Sequence, residues 1–229
     1  MEYTQMNLVA DTAGFIVVYP NGKNNWNSGV GVNPNYPTPI IDDVGFINAL
    51  IDTLSNHYTN IDLDRIYACG FSNGGFMANK LACQLSNRIA AVASVAGVIA
   101  SSVANTCNSL HTMPMLLIHG TADNTVPLNG ATGWYSVDQT LNFWTDINNC
   151  DQASTVLLPD LIPTDGCTVE KTTYSNSSDD CKVIFYKVIN GGHSWPGAVE
   201  DYNWAGKKNM DINASVEIWN FFKDYKHNQ

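Results

Sequence analysis

The sequence predicts an α/β fold, a mostly parallel central sheet flanked by helices, over one domain spanning residues 1–229. Strand-like and helix-like patterns alternate along the chain, as βαβ units require. Two runs, "AAVASVAGVIA" (90–100) and "MPMLLIHG" (113–120), are apolar without a break, as strands covered on both faces are. No internal repeat and no linker-like stretch divides the 229 residues.

The elements follow in order. "GFIVVYP" (14–20) is a short β-branched run stopped by proline and reads as a strand. "DDVGFINALIDTLSNHY" (42–58) carries apolar residues at Val44, Phe46, Ile47, Leu50, Ile51 and Leu54, the spacing of one helix face, behind an aspartate start. The adjacent acids Asp42 and Asp43 read as caps of that helix. "DRIYACGF" (64–71) reads as a strand and "GGFMANKLACQLSN" (74–87) as a helix. "WYSVDQTLNFWTDIN" (134–148), "KVIFYKVING" (182–191) and "INASVEIWNFFKDYK" (212–226) complete the alternation as helix, strand and helix. Residues 150–181, rich in Asp, Thr, Ser and Cys, read as a long excursion or a short antiparallel pair at the rim, with Asp179 and Asp180 in a solvated loop.

Charge narrows the function. The net charge is −10, and only two arginines occur, Arg65 and Arg88. Neutralising a phosphate backbone needs clustered Lys and Arg, so a nucleic-acid partner is excluded. No run approaches the roughly 20 apolar residues that span a bilayer, and the first residues lack the basic and apolar regions of a signal peptide. Six cysteines (Cys69, Cys83, Cys107, Cys150, Cys167, Cys181) form no C-x-x-C pair, which speaks against a zinc or redox dithiol site. Their even number fits an oxidising compartment, with Cys69 expected as a buried thiol in a core strand.

The chemistry centres on "CGFSNGG". A Gly-x-Ser-x-Gly frame arises by chance too often to carry weight alone. Here it follows a predicted strand and opens a predicted helix, the context in which a serine is held exposed on a sharp turn. Gly70 and Gly74 are expected to let the backbone pass close on either side of Ser72. A serine hydroxyl needs an adjacent base to become a nucleophile, and a base needs an orienting acid. Asp123, after the strand "MLLIHG", and His193, in "GGHSWPG" after "VIFYKVIN", supply both in the order Ser, Asp, His. All three follow the C-terminal ends of strands, the edge where ligands bind open parallel sheets. The backbone N–H of Asn73, at the helix start, is the expected oxyanion donor. As alternatives, Ser72 is a helix N-cap and Asp123 a turn residue replaced by Asp138 or Asp146; His119, which ends a strand, is expected to be structural.

"DRIYACGFSNGGFMANKLACQLSNRIAAVASVAG", "LLIHGTADNTVP" and "GGHSWPG" together resemble the α/β-hydrolase group of feruloyl esterases and extracellular polyhydroxybutyrate depolymerases. The resemblance implies a secreted serine esterase without metal or organic cofactor, with Ser72 as nucleophile, Asp123 as acid and His193 as base. It implies an ester substrate, small-molecule or polymer-linked: short-chain, aryl (feruloyl-type) or polyhydroxyalkanoate. From their loop positions, Trp26, Trp134 and Trp195 are expected to line the substrate pocket, with ordinary core packing as the alternative. Cys83–Cys107 and Cys167–Cys181 are the expected disulfides. The family's strands before the run matching 14–20 have no counterpart here, an N-terminal truncation in which Met1 falls inside the first matching helix. One missing strand belongs between those matching 14–20 and 64–70, so a gap is expected there, or direct pairing, or closure by another chain in a homo-oligomer. A non-catalytic polysaccharide- or polyester-binding remnant and a serine peptidase with the same three residues stand as alternatives.

Overall fold

The computed structural model describes residues 3–23, 25–30, 41–109, 111–177, 179–200 and 202–227; Met1 lies outside them. Helix α1 (Met6–Ala13) is followed by α2 (Asp43–His57), strand β1 (Tyr67–Phe71), α3 (Asn73–Gln84), β2 (Ala91–Val95), a short α4 (Ser101–Ala104) and β3 (Met115–Gly120). Then come α5 (Val137–Ile147), β4 (Gln152–Leu157), β5 (Thr168–Asn176), β6 (Asp179–Ile189) and α6 (Ala214–Phe222). One six-stranded sheet runs in the order β1-β2-β3-β6-β5-β4. β1, β2, β3 and β6 are parallel neighbours, while β5 and β4 return antiparallel. The α/β-hydrolase-like architecture expected from the sequence is the one observed. The 150–181 excursion is this antiparallel extension, and Asp179 and Asp180 begin β6 rather than occupying a loop.

Alternation along the central strands explains their unbroken apolar character. On β3, Met115 and Leu117 face the core beneath α3 and α5, while Leu116 and Ile118 face the core beneath α6. Val183 and Phe185 of β6 join the first core, Tyr186 and Val188 the second. Both faces are covered, so neither can be polar. Two buried polar pairs brace the first core: the Trp144 indole N–H donates to Asn79 Oδ1 (2.8 Å), and Asn148 exchanges two hydrogen bonds with the Met113 backbone.

Three further expectations need correction, and two share a cause. Residues 14–20 do not form a strand. Phe15 stacks on Trp219 (4.1 Å between ring centroids), and Val17 and Tyr19 pack on the second core, while Ile16 and Val18 stay exposed. The inside–outside alternation of a strand is present, but a ladder partner is missing. Among the described residues β1 is the sheet edge, and an apolar cleft of about 790 Å³ separates it from residues 14–20. At this place a gap is found rather than direct pairing. Cys69 points into the cleft and is exposed, not buried, because β1 lacks a neighbour on that side.

The third correction concerns disulfides. Cys83 and Cys107 are joined, with Cα atoms 5.1 Å apart, tying α3 to the chain after α4. Cys167 and Cys181 are not joined to each other. Cys167 lies just before the Thr168↔Ile189 pair, whereas Cys181 lies just before the Ser175↔Lys182 pair. They sit at opposite ends of the β5–β6 hairpin, separated by roughly 25 Å at the rise of a strand, and no bridge spans that. No helix among the described residues is long and apolar enough to cross a membrane.

Candidate active site

The turn from β1 into α3 carries Ser72 at φ 54°, ψ −118°, a backbone region that non-glycine residues rarely adopt. The Ser72 N–H donates to Val95 O of the neighbouring strand (2.9 Å), and Ser72 O accepts from Phe76 N (3.0 Å) in the first turn of α3. The turn is therefore braced on both sides. A Cβ at Gly70 would collide with the backbone of Gly74. At Gly74 itself a Cβ would meet nothing within 4 Å, so the motif needs its first glycine for space and not its second.

Asp123 sits three residues beyond β3 in a tight turn. Its Oδ1 accepts from the N–H groups of Thr125 and Val126 (both 2.8 Å), leaving Oδ2 to face His193 Nδ1 at 2.7 Å. The turn role expected as an alternative for Asp123 is thus filled by one carboxylate oxygen and the histidine contact by the other. His193 Nε2 lies 2.9 Å from Ser72 Oγ. A carboxylate only accepts, so Nδ1 carries the hydrogen and Nε2 is free to take one from the hydroxyl. The loops are bolted together through backbone: Ala122 N–H donates to Gly191 O (2.8 Å), and His193 N–H to Ala205 O (2.6 Å). Asp123 and His193 are buried, and Ser72 is half-buried.

His119, at the end of β3, supports the acid's turn. It is fully buried, donates from Nε2 to Val126 O (2.8 Å), and lies 3.6 Å from Asp123 Oδ2. Its Nδ1 is buried without a hydrogen-bond partner. Burial pushes the imidazole below the ordinary histidine range, outweighing the Val126 and Asp123 contacts that favour its charged form.

Asn73 opens α3, where the first N–H groups have no acceptor within the helix. Its side chain fastens the neighbouring loop: Oδ1 accepts from Trp26 N (2.9 Å) and Nδ2 donates to Ser28 Oγ (2.9 Å). Asp43 helps. It is buried, with Oδ2 accepting from Asn27 N (2.6 Å), so it holds this loop, and only Asp42 caps α2, accepting from Gly45 N. Of the three tryptophans, Trp26 borders the cleft and stays partly exposed, stacked near Phe46. Trp134 packs edge-on against Phe76 beside the first core. Trp195 also borders the cleft, but it is 2% exposed and packed in the second core, with its N–H on Ser215 Oγ (3.2 Å).

Sequence reading missed Trp204, which is 66% exposed with its ring 6.1 Å from the His193 imidazole. It stands in "DYNWAGKK", a stretch without periodicity or motif; only its proximity in space marks it. The side-chain roles of Asn73 and Asp43 were missed for the same reason.

The family model described as Phospholipase/Carboxylesterase, of the α/β-hydrolase type, matches residues 1–153, and the chain belongs to this family. It is 29% identical over 216 residues to NocK of Nocardia uniformis subsp. tsuyamanensis, a protein named as an esterase (87% of this chain, 62% of that one). It is 30% identical over 164 residues to feruloyl esterase B of Piromyces equi (67% of this chain, 29% of that one). The fold is similar to that of an acetyl xylan esterase from Aspergillus awamori, with a TM-score of 0.50 at 15% identity over 79% of this chain and 67% of that one. The chain spans between 18% and 62% of the length of the curated relatives it matches.

Two predictions follow from this geometry. Gly70→Ala forces backbone apart at the turn and should lower stability by about 1–3 kcal/mol, whereas Gly74→Ala should match or slightly exceed wild type; urea unfolding of both variants compares them. His119 has a depressed folded-state pKa, so its neutral form stabilises the fold above the ordinary histidine value of about 6.5, and that contribution is lost as pH falls below it. Thermal unfolding at pH 7 and pH 5 should show a smaller acid-side loss in His119→Gln, which keeps an N–H for Val126 O but does not titrate. An equal loss in both proteins would rule His119 out as the source.

Proposed function

We propose that this protein hydrolyses carboxylic esters through an acyl-enzyme on Ser72, with the single hydrolase domain as the catalytic unit. One observation carries the reading: Ser72 Oγ, His193 and Asp123 form an unbroken hydrogen-bond line of 2.9 and 2.7 Å that ends at the half-buried Ser72. Membership of the phospholipase/carboxylesterase family and the likeness to proteins named as esterases support it.

In this mechanism His193 Nε2 takes the Ser72 proton as Oγ bonds to the ester carbonyl carbon. The carbonyl oxygen becomes an oxyanion and accepts from the Asn73 N–H, one donor of the oxyanion hole. Asp123 fixes the Nδ1–H tautomer and stabilises the imidazolium. When the C–O bond to the alcohol breaks, His193 returns the proton to the departing alcohol oxygen. Water then attacks the acyl carbon with His193 again as base, releasing the acid and restoring Ser72.

Among ester classes, the relatives' names favour aryl (feruloyl-type) and acetyl esters of plant polysaccharide over polyhydroxyalkanoates. Such substrates lie outside cells, and the Cys83–Cys107 disulfide supports an oxidising, secreted location.

Hydrolysis of p-nitrophenyl acetate and methyl ferulate tests the reading. Wild type should turn over, and Ser72→Ala should lose roughly 10⁴-fold or more in kcat, as triad knockouts do. A Ser72→Ala protein with wild-type turnover, or an inactive but folded wild type, would overturn it.

A further inference from the structure

We infer that Trp204, backed by Tyr202, is the platform that binds the sugar on the alcohol side of the ester. The inference rests on the esterase reading and names its specificity.

A tryptophan left 66% exposed forgoes much of the stabilisation that burial of a large apolar side chain would supply. Trp204 is nonetheless held in place. It sits in a single 3₁₀ turn, Asn203–Ala205, whose Ala205 N–H donates to Tyr202 O (2.8 Å). Ala205 is buried, and its carbonyl accepts the His193 N–H at 2.6 Å, while Gly192 N–H donates to Lys207 O at 2.8 Å. A side chain at Gly192 would strike the Ala205 carbonyl, so close contact of the two backbones depends on that glycine. The exposed indole and the proposed base therefore ride on one rigid unit. Aromatic neighbours extend the surface: Tyr202 lies 5.9 Å from Trp204 at 32°, and Tyr3 lies 5.5 Å from Tyr202.

Mechanism decides which half of the ester meets this surface. His193 Nε2 hands its proton to the departing oxygen, so the alcohol stands on the imidazole side, whereas the carbonyl oxygen stands at Asn73. Trp204 lies against the imidazole, 6.1 Å away, and so within reach of the alcohol. The surface is an open face rather than an enclosed pocket, and its rim is polar. The Tyr202 hydroxyl donates to Glu200 Oε2 (2.6 Å), and Lys208 Nζ donates to Glu200 O (2.9 Å). A sugar ring has the matching chemistry, with an apolar C–H face for the indole and hydroxyls for the carboxylate. An open face also admits a residue that remains linked to a polymer.

The test uses two esters with one acyl group, feruloyl arabinose and methyl ferulate, so that only the alcohol differs. For Trp204→Ala, the ratio of kcat/KM for the sugar ester to that for the methyl ester should fall about tenfold, mostly through KM. Trp204→Phe should restore most of that ratio. A fall of equal size on both esters, no fall on either, or a selective fall on methyl ferulate would overturn the platform while leaving the esterase reading intact. A wild type that cleaves neither ester would overturn the esterase reading and this inference with it.

Discussion

A single residue turn carries the rest of the site. Ser72 holds a positive φ between the last residue of β1 and the first turn of α3, and that conformation persists only because its surroundings over-determine it. The Val95 carbonyl fixes its N–H, the helix takes its carbonyl, and Gly70 yields the space through which Gly74 passes. With a relaxed backbone here, Oγ would not stand 2.9 Å from His193 Nε2. The strain is small beside the burial of two apolar cores, and the parallel sheet supplies the rigidity that holds it. Strand ends place Ser72, Asp123 and His193 along one sheet edge, and backbone hydrogen bonds between their loops fix the spacing.

The sheet pays for this arrangement at its margin. β1 leads into the Ser72 turn yet, among the described residues, ends the sheet, with an apolar cleft where a further strand would fit. The segment 14–20 keeps its alternating pattern without a ladder to join. The exposed edge and the strained turn thus share one strand. Among the described residues, the backbone hydrogen bonds that hold Ser72 come from the other side, from β2 and α3.

Most of the fold could be read from the sequence because long apolar runs leave few choices. Residues 113–120 could only be a strand covered twice, and "INASVEIWNFFKDYK" only an amphipathic helix. The order of Ser72, Asp123 and His193 was legible because each follows a strand. What was not legible depends on space rather than on order. "GFIVVYP" has strand composition but lacks a neighbour; Cys167 and Cys181 look pairable until the hairpin register separates them. Trp195 and Trp204 are nine residues apart and chemically identical, yet one is core and the other surface, which no local pattern records. Asp42 and Asp43 read alike as caps, but only Asp42 caps the helix, while Asp43 turns to the Asn27 amide.

The central claim is that the Asp123–His193 pair makes Ser72, among all serines of the chain, the reactive one. Labelling with diisopropyl fluorophosphate, followed by peptide mass spectrometry, tests it most directly. The account predicts stoichiometric phosphorylation confined to Ser72 and abolished in His193→Ala, because an unassisted serine hydroxyl is a poor nucleophile near neutral pH. Labelling spread over several serines, or undiminished at Ser72 without His193, would contradict it.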